Sequence, residues 1–197
     1  MPLRHCRHII FDLDGTLTVP VHDFESIRQD LGLKPGEMIL EALEKMPPEK
    51  AAAVTTELEA IELRLAENAN PQPKVYELLE HITSAGINLG ILTRNGESIA
   101  RTTLEVCGLR EFFHDTAIIG RESCPPKPDP AGVHHLLDLW NASANETAIV
   151  GDFLFDLQSG RNAGITTVHF DATGEFQWPE HTDVFVDTLH DLIDSVA

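Results

Sequence analysis

The sequence predicts an α/β fold in which helices cover both faces of a mostly parallel, Rossmann-like sheet, making three layers. Two observations predict it. Near the start of the chain, the apolar run of residues 9–11 stops at acidic residues and a glycine, as a buried strand does at its carboxyl end. From residue 74 onward, strand patterns alternate with helical patterns, which indicates right-handed βαβ units. Between these parts we expect a small all-helical insertion.

The first predicted strand runs directly into Asp12, and Asp14 follows within the segment Phe11-Asp-Leu-Asp-Gly-Thr16. An acid that continues an apolar strand is costly to bury unless something compensates its charge. In a parallel sheet, the carboxyl ends of the strands form the edge where ligands bind. Asp12 and Asp14 are therefore the first candidate functional residues.

Residues 20–72 predict helices, because apolar side chains recur with helical spacing over 23–32, 38–46 and 51–69. The prolines at 71 and 73 end the third helix. We expect a core domain of residues 1–19 and 73–197 and a helical cap of residues 20–72. The charged face of the third helix is interpreted mostly as a solvated surface; it carries Glu57, Glu59, Glu62, Arg64 and Glu67.

The remaining chain predicts the alternating elements of the parallel sheet. Strands are expected over residues 87–93, 116–119, 148–152, 166–170 and 184–186. Helices are expected over residues 75–85, 97–107 and 130–140, then up to residue 163, and finally over 188–196. Asp129 is predicted to cap the helix that Pro130 begins.

The composition limits the classes of partner. The formal net charge is −18, and repulsion at that charge disfavours nucleic acid and anionic membranes. A small phosphorylated metabolite is compatible with it if the site carries local positive charge. The three cysteines lack metal-ligand spacing, and neither a signal peptide nor a transmembrane run is visible, so a reducing, cytoplasmic setting is predicted.

Further polar residues follow later strands or lie in the loops beyond them: Thr93, Lys127, Asp152 and Asp156. Each alone has an ordinary interpretation. Thr93 is compatible with a helix cap, Lys127 with a solvated loop, and Asp156 with an acid favoured in the first turn of a helix. A parallel sheet would gather all of them beside Asp12, so the set is more specific than any member.

These residues resemble the four motifs of the haloacid dehalogenase-like superfamily, in its magnesium-dependent phosphatase branch. The resemblance covers the whole chain, and the insertion at 20–72 stands where that family places its helical type-1 cap. The pattern is most similar to the phosphoglycolate phosphatase and β-phosphoglucomutase group. A cytosolic phosphomonoester hydrolase acting on a small metabolite is the implied function, with phosphoglycolate as the first substrate to try.

The resemblance implies a catalytic set of Asp12, Asp14, Thr93 and Lys127. Asp12 would be the nucleophile that forms an aspartyl-phosphate, and Asp14 would protonate the leaving oxygen and then deprotonate water. The phosphate oxygens would be held by the Thr93 hydroxyl, by Lys127 and by main-chain N–H groups of Leu13, Arg94 and Asn95. Mg²⁺ would be bound by the Asp12 and Asp152 carboxylates and the Asp14 main-chain carbonyl, with Asp156 orienting waters and Lys127.

Other activities are weighed against this interpretation. The metal-free dehalogenase branch lacks an acid at the position of Asp14, and a phosphonatase would need a buried cap lysine, whereas Lys34, Lys45 and Lys50 are interpreted as surface residues. A phosphomutase using the same aspartyl-phosphate stays open, although the short insertion favours hydrolysis. A catalytically silent metal-binding module is disfavoured by the complete set of motif residues.

Specificity residues are harder to predict than the motif residues. His22, with Asp23 and Arg28, stands at the start of the insertion and is a candidate for facing the substrate. Arg94 directly follows Thr93, so its side chain is expected to reach the phosphate or the outer part of the substrate.

Overall fold

The computed structural model describes residues 3–196, and a six-stranded sheet forms its centre. The strands are β1 (His8–Phe11), β2 (Asn88–Leu92), β3 (Ile118–Ile119), β4 (Thr147–Gly151), β5 (Thr166–Phe170) and β6 (Val184–Val186). They lie in the order β3-β2-β1-β4-β5-β6, and every neighbouring pair is parallel. The predicted fold class is therefore confirmed.

The helices are α1 (Phe24–Asp30), α2 (Ile39–Glu44), α3 (Pro48–Ala66), α4 (Val75–Ser84), α5 (Glu97–Val106), α6 (Ala131–Trp140), α7 (Leu154–Ala163) and α8 (His190–Val196). Helices α4, α5 and α8 contribute to the hydrophobic cluster on one face of the sheet, and α6 contributes to the cluster on the other. Helix α7 packs on β4 and β5. Within residues 3–196, none of the helices combines the length and apolar character needed to cross a bilayer.

Strand β1 shows how the sheet is buried on both sides. Ile9 and Phe11 belong to one cluster, whereas Ile10 belongs to the other, because successive side chains of a strand point to opposite faces. A run that is apolar at every position is typical of a parallel strand covered by helices on both faces. Strand β1 lies between β2 and β4, so the chain's first acids emerge at the middle of the sheet edge.

Helices α1, α2 and α3 share a separate hydrophobic cluster formed by Ile27, Leu31, Leu43, Val54, Leu58 and Ile61. Two chain segments join this helical insertion to the sheet, and they pair antiparallel. The Val19 N–H donates to the Asn70 carbonyl at 2.9 Å, and the Gln72 N–H donates to the Leu17 carbonyl at 2.9 Å. The predicted boundaries at residues 20 and 72 fall beside this pairing, and the division into two domains stays a prediction.

Several element ends differ from the sequence prediction, and three of the differences have a local reason. Helix α3 begins at Pro48, ahead of its apolar stripe, because proline is accommodated in the first turn of a helix. Strand β3 begins at Ile118 instead of 116, since residues Asp115–Ala117 form a 3-10 turn. Helix α6 begins at Ala131, not at Pro130, although Asp129 accepts the Ala131 N–H at 2.9 Å.

Candidate active site

The carboxyl edge of the sheet and the helical insertion enclose a cavity of about 460 Å³. Its lining includes every residue assigned to the site from the sequence except Leu13, namely Asp12, Asp14, Thr93, Arg94, Asn95, Lys127, Asp152 and Asp156. The Leu13 side chain is buried in the core, which leaves its main chain as the part that can face a ligand. The topology thus gathers residues that are far apart in the sequence.

Lys127 lies at the floor of the cavity and is only 2% exposed. Its Nζ donates to Asp12 Oδ1 at 2.7 Å and to Asp156 Oδ1 at 2.5 Å. Burial alone would lower the pKa of Lys127, but the carboxylates of Asp12 and Asp156 outweigh it and raise the pKa above its ordinary value. The lysine is therefore a fixed positive charge between two acids.

Asp156, in the first turn of α7, has both carboxylate oxygens engaged. Oδ1 accepts from Lys127, and Oδ2 accepts the Phe153 N–H at 3.0 Å. Burial raises the pKa of Asp156 above its ordinary value. A Cβ at Gly151 would overlap this side chain, so the glycine leaves the space that Asp156 occupies. Asp156 is held as a support for Lys127.

Asp152, just beyond β4, is positioned by the turn that follows β1. Thr16 Oγ1 donates to Asp152 Oδ1 at 3.2 Å. Gly15 has a φ of +89°, and a Cβ there would overlap the Asp152 carboxylate. Burial, reinforced by Asp12 and Asp156, raises the pKa of Asp152. The role of Gly15 and Thr16 in placing this acid was not predicted from the sequence.

Asp12, Asp152 and Asp156 form a compact acidic cluster. One carboxylate oxygen from each lies within 4.8 Å of the others. Two like charges about 4 Å apart repel by roughly 4 kcal/mol at an effective dielectric near 20, and Lys127 supplies one compensating charge. An all-oxygen donor set with an excess of negative charge suits a hard divalent cation such as Mg²⁺.

Asp14 points into the cavity beside two polar side chains. Asn95 Nδ2 donates to Asp14 Oδ2 at 2.7 Å, and His22 Nε2 lies 4.0 Å from Asp14 Oδ1. Burial, together with the Asp12 carboxylate, raises the pKa of Asp14 to about 7. Burial also lowers the pKa of His22, against the opposing effect of Asp12. The family resemblance assigns only the main-chain N–H of Asn95 to the site. Its side chain belongs to no motif in the sequence, so its bond to Asp14 was not predicted.

Thr93 follows β2 and is 3% exposed. Its Oγ1 accepts the Asn95 N–H at 3.1 Å, a turn within the loop and not the helix cap of its ordinary interpretation, because the N-cap of α5 is Gly96. The same N–H is the one that the family resemblance assigns to phosphate. A phosphate held there would share or replace this contact.

The Arg94 side chain turns toward the helical insertion and not toward the phosphate end. Its Nη2 donates to both carboxylate oxygens of Glu41, at 2.8 and 3.0 Å, and its Nη1 donates to the Lys127 carbonyl. The guanidinium carbon also lies 4.7 Å from the centre of the Phe155 ring. This pairing does not favour the expected contact with the phosphate, whereas the alternative contact with the outer part of the substrate stays a prediction, since Arg94 lines the cavity.

Glu62 corrects the interpretation of α3 as a solvated face. It is 6% exposed and lines the cavity, and its two carboxylate oxygens accept from Arg121 Nη1 and Nη2 at 2.7 and 2.9 Å. Val54, Leu58 and Glu62 are spaced four residues apart, so the sequence did hold a signal that position 62 continues the buried stripe. Glu62–Arg121 and Glu41–Arg94 both join the insertion to the core.

We expect Glu62→Gln to lower the free energy of unfolding by about 1–3 kcal/mol, because Arg121 would lose its hydrogen-bonded carboxylate and keep only that of Glu59, 3.8 Å away. Urea unfolding checks this. Glu77→Gln is the matched control, since Glu77 pairs with Lys74 on the exposed surface and its loss should change stability by less than about 0.5 kcal/mol. Equal effects of the two variants would contradict a structural role for the buried pair.

The insertion side of the cavity is mostly apolar. Its apolar lining residues are Phe24, Ile27, Met38, Ile39, Leu40 and Leu58, and the core adds Phe153 and Phe155. Of the three residues expected to face the substrate, His22 and Arg28 line the cavity. The prediction that Asp23 faces the substrate is wrong, because its side chain caps α1 by accepting the Ser26 N–H at 3.1 Å.

Comparison with known proteins finds related sequences and similar folds. A family model described as haloacid dehalogenase-like hydrolase matches residues 19–170. An uncharacterized hydrolase of Saccharomyces cerevisiae is 30% identical over 98% of this chain and 92% of its own length. A phosphoglycolate phosphatase of Neisseria gonorrhoeae is 27% identical over 84% of this chain and 80% of its own length. The crystal structure of a predicted phosphoglycolate phosphatase from Haemophilus somnus has the same fold, with a TM-score of 0.75 at 19% identity over 98% of this chain and 99% of that one.

Proposed function

This chain belongs to the haloacid dehalogenase-like hydrolase family, and we propose that it is a Mg²⁺-dependent phosphatase that hydrolyses a small phosphorylated metabolite through an aspartyl-phosphate on Asp12. Its membership and its phosphatase relatives establish the enzyme class. The observation that carries the finer proposal is the buried Lys127, which bonds Asp12 and Asp156 at the floor of the cavity. Such a fixed cation beside an acid suits attack on an anionic phosphate.

Asp12 is the proposed nucleophile. A carboxylate oxygen of Asp12 attacks phosphorus while the bond to the leaving-group oxygen breaks, and Asp14 donates its proton to that oxygen. In the second half, a water attacks the same phosphorus and gives a proton to Asp14, and inorganic phosphate leaves as the Asp12 carboxylate is restored. The bond from Asn95 Nδ2 to Asp14 supports this role by orienting the acid toward the cavity.

The phosphate would be held by Lys127, by the Thr93 hydroxyl and by the main-chain N–H groups of Leu13, Arg94 and Asn95. Lys127 contributes charge, because its carboxylate partners keep it protonated at the cavity floor. Positioning of this kind, together with neutralised charge, supplies most of the catalysis in phosphoryl transfer.

The proposed Mg²⁺ ligands are the carboxylates of Asp12 and Asp152 and the main-chain carbonyl of Asp14. Asp156 is assigned a supporting role, since Lys127 and the Phe153 N–H already occupy its two oxygens. Bound Mg²⁺ would neutralise charge on the phosphate and polarise its oxygens.

We expect saturating Mg²⁺ to raise the melting temperature by several degrees. A ligand at 100 times its Kd stabilises the folded state by about 2.7 kcal/mol, and each kcal/mol moves the melting point of a chain of this size by about 2–4 °C. Differential scanning fluorimetry with NaCl at matched ionic strength is the measurement. Asp152→Asn should lose most of the shift; an unchanged melting point in the unmodified protein would count against the metal site.

The helical insertion of residues 20–72 is proposed to be the cap of this enzyme.

A cytoplasmic setting is also proposed. Cys6, Cys107 and Cys124 are free thiols, and burial raises the pKa of Cys6 to about 11, which keeps it protonated. A reducing compartment suits such residues.

The phosphatase proposal is tested by scoring inorganic phosphate release from a panel of phosphorylated metabolites with Mg²⁺. Release that depends on Asp12 supports hydrolysis. A phosphomutase would instead interconvert sugar phosphates when primed with a bisphosphate, with little release. The absence of both reactions would contradict the proposal.

A further inference from the structure

The guanidinium groups around the cavity are already paired with carboxylates of this chain. Arg94 binds both oxygens of Glu41, and Arg121 binds both oxygens of Glu62. Arg28 donates from Nη1 to Glu25 at 2.7 Å and from Nε to the Glu37 carbonyl at 2.7 Å. The charges of these three guanidinium groups are therefore offset by carboxylates before any substrate binds.

Among the described residues that line the cavity, the other basic side chains are Lys127 and His22, and both belong to the phosphate end. Lys127 lies on the cavity floor against Asp12 and Asp156, where the transferred phosphate would be held. His22 lies 4.0 Å from Asp14, beside the proposed proton donor, and its ring stacks on Phe24 with the centroids 5.5 Å apart. Neither residue is placed to receive a second anion at the far end of a substrate.

Most of the remaining lining of the cavity is apolar. Ile27, Ile39 and Leu58 come from the insertion, and Phe153 and Phe155 come from the core. Glu62 also lines the cavity as a buried acid. Its pairing with Arg121 balances the charge of the arginine and leaves no net positive charge there. An anionic leaving group would lose its hydration here and meet only arginines that already bind carboxylates, whereas an apolar leaving group would gain from burial.

We propose that the preferred substrate is a phosphate monoester whose leaving group is uncharged and largely apolar. This inference rests on the proposed phosphatase function and names the substrate class of the same site. It disfavours phosphoglycolate, the substrate that the family resemblance suggested first, because its leaving group carries a carboxylate.

A matched pair of esters tests the proposal on the full chain with Mg²⁺. Phenyl phosphate and 4-carboxyphenyl phosphate differ in the para carboxylate, and the scissile bond is of the same type. We expect kcat/KM to be about tenfold or more higher for phenyl phosphate, since the carboxylate must be desolvated without a partner. An equal or higher kcat/KM for the carboxylated ester would overturn the proposal.

A charge added to the wall should reverse the preference. Phe24 lines the cavity and is 53% exposed, so Phe24→Arg adds a cation without burying it completely. We expect this variant to raise kcat/KM for the carboxylated ester selectively, by about threefold or more, as partly exposed charge pairs allow. Phe24→Gln is the matched uncharged control and should change the ratio of the two esters by less than Phe24→Arg does. A ratio unmoved by Phe24→Arg would contradict the proposed leaving-group site.

A variant of Arg28 tests the opposite possibility, that this side chain binds an anionic leaving group. If the unmodified enzyme prefers the carboxylated ester and Arg28→Met abolishes that preference, Arg28 is an anion receptor and the proposal is wrong. The function itself is judged separately with Asp12→Asn. Phosphate release that does not depend on Asp12 would contradict the phosphatase mechanism, whereas Asp12-dependent release that favours the carboxylated ester contradicts only the substrate class.

Discussion

Replacing Asp12 with asparagine should abolish phosphate release, lowering kcat by about three orders of magnitude or more, as removal of a catalytic nucleophile does. The amide has nearly the same shape as the carboxylate but is a poor nucleophile. Its oxygen can still accept from Lys127 Nζ, which lies 2.7 Å from Asp12 Oδ1. The fold should therefore survive, and steady-state release of inorganic phosphate measures the loss.

Two controls separate loss of chemistry from loss of structure. Circular dichroism and the melting temperature should show a folded Asp12→Asn protein. Asp138→Asn makes the same substitution on the exposed surface of α6 and should keep full activity. If Asp12→Asn kept more than about a tenth of the activity, Asp12 would not be the nucleophile.

Lys127→Met should destabilise the fold by about 3–5 kcal/mol, because it removes one partner from a buried ion pair. Asp12 and Asp156 would then face each other without a cation, or one of them would have to take up a proton. That cost is a large share of the roughly 5–15 kcal/mol that stabilises a typical domain. Urea unfolding in EDTA measures it without compensation from divalent metal ions.

The double variant Lys127→Met, Asp156→Asn provides the internal control. Removing one of the two acids along with the lysine should recover part of the lost stability, since fewer buried charges remain unpaired. Added Mg²⁺ should also recover stability in Lys127→Met if the acidic cluster binds it. A single variant within about 1 kcal/mol of the unmodified protein would show that Lys127 does not hold the cluster together.

The fold was predictable because its signals are local. The apolar residues 9–11 with their terminal acids marked the central strand, and the alternation after residue 74 marked the parallel sheet. Spacing and turn residues place most elements within a few positions of where they lie. The short strand β3 was harder to predict, because a strand of two residues is too short to show a periodic pattern of apolar side chains.

The site was predictable only where residues carry a recognisable pattern. Asp12, Asp14, Thr93, Lys127, Asp152 and Asp156 follow strands or the loops after them, and the structure places them around one cavity. Glu62 was misjudged as solvated, although its spacing from Leu58 was informative. Arg121 carried no comparable signal, because what distinguishes it is a contact made 59 positions away.

The sequence by itself determined the α/β architecture and the set of acids and lysine at the carboxyl edge, because periodicity and strand ends are properties of short segments. The tertiary structure decided which charges remain available. Glu41 and Glu62 offset Arg94 and Arg121 across the boundary between insertion and core, and Ile27, Leu58 and Phe155 contribute to the apolar lining of the cavity. Those pairings depend on how two distant helices pack on the sheet edge, which no local pattern encodes.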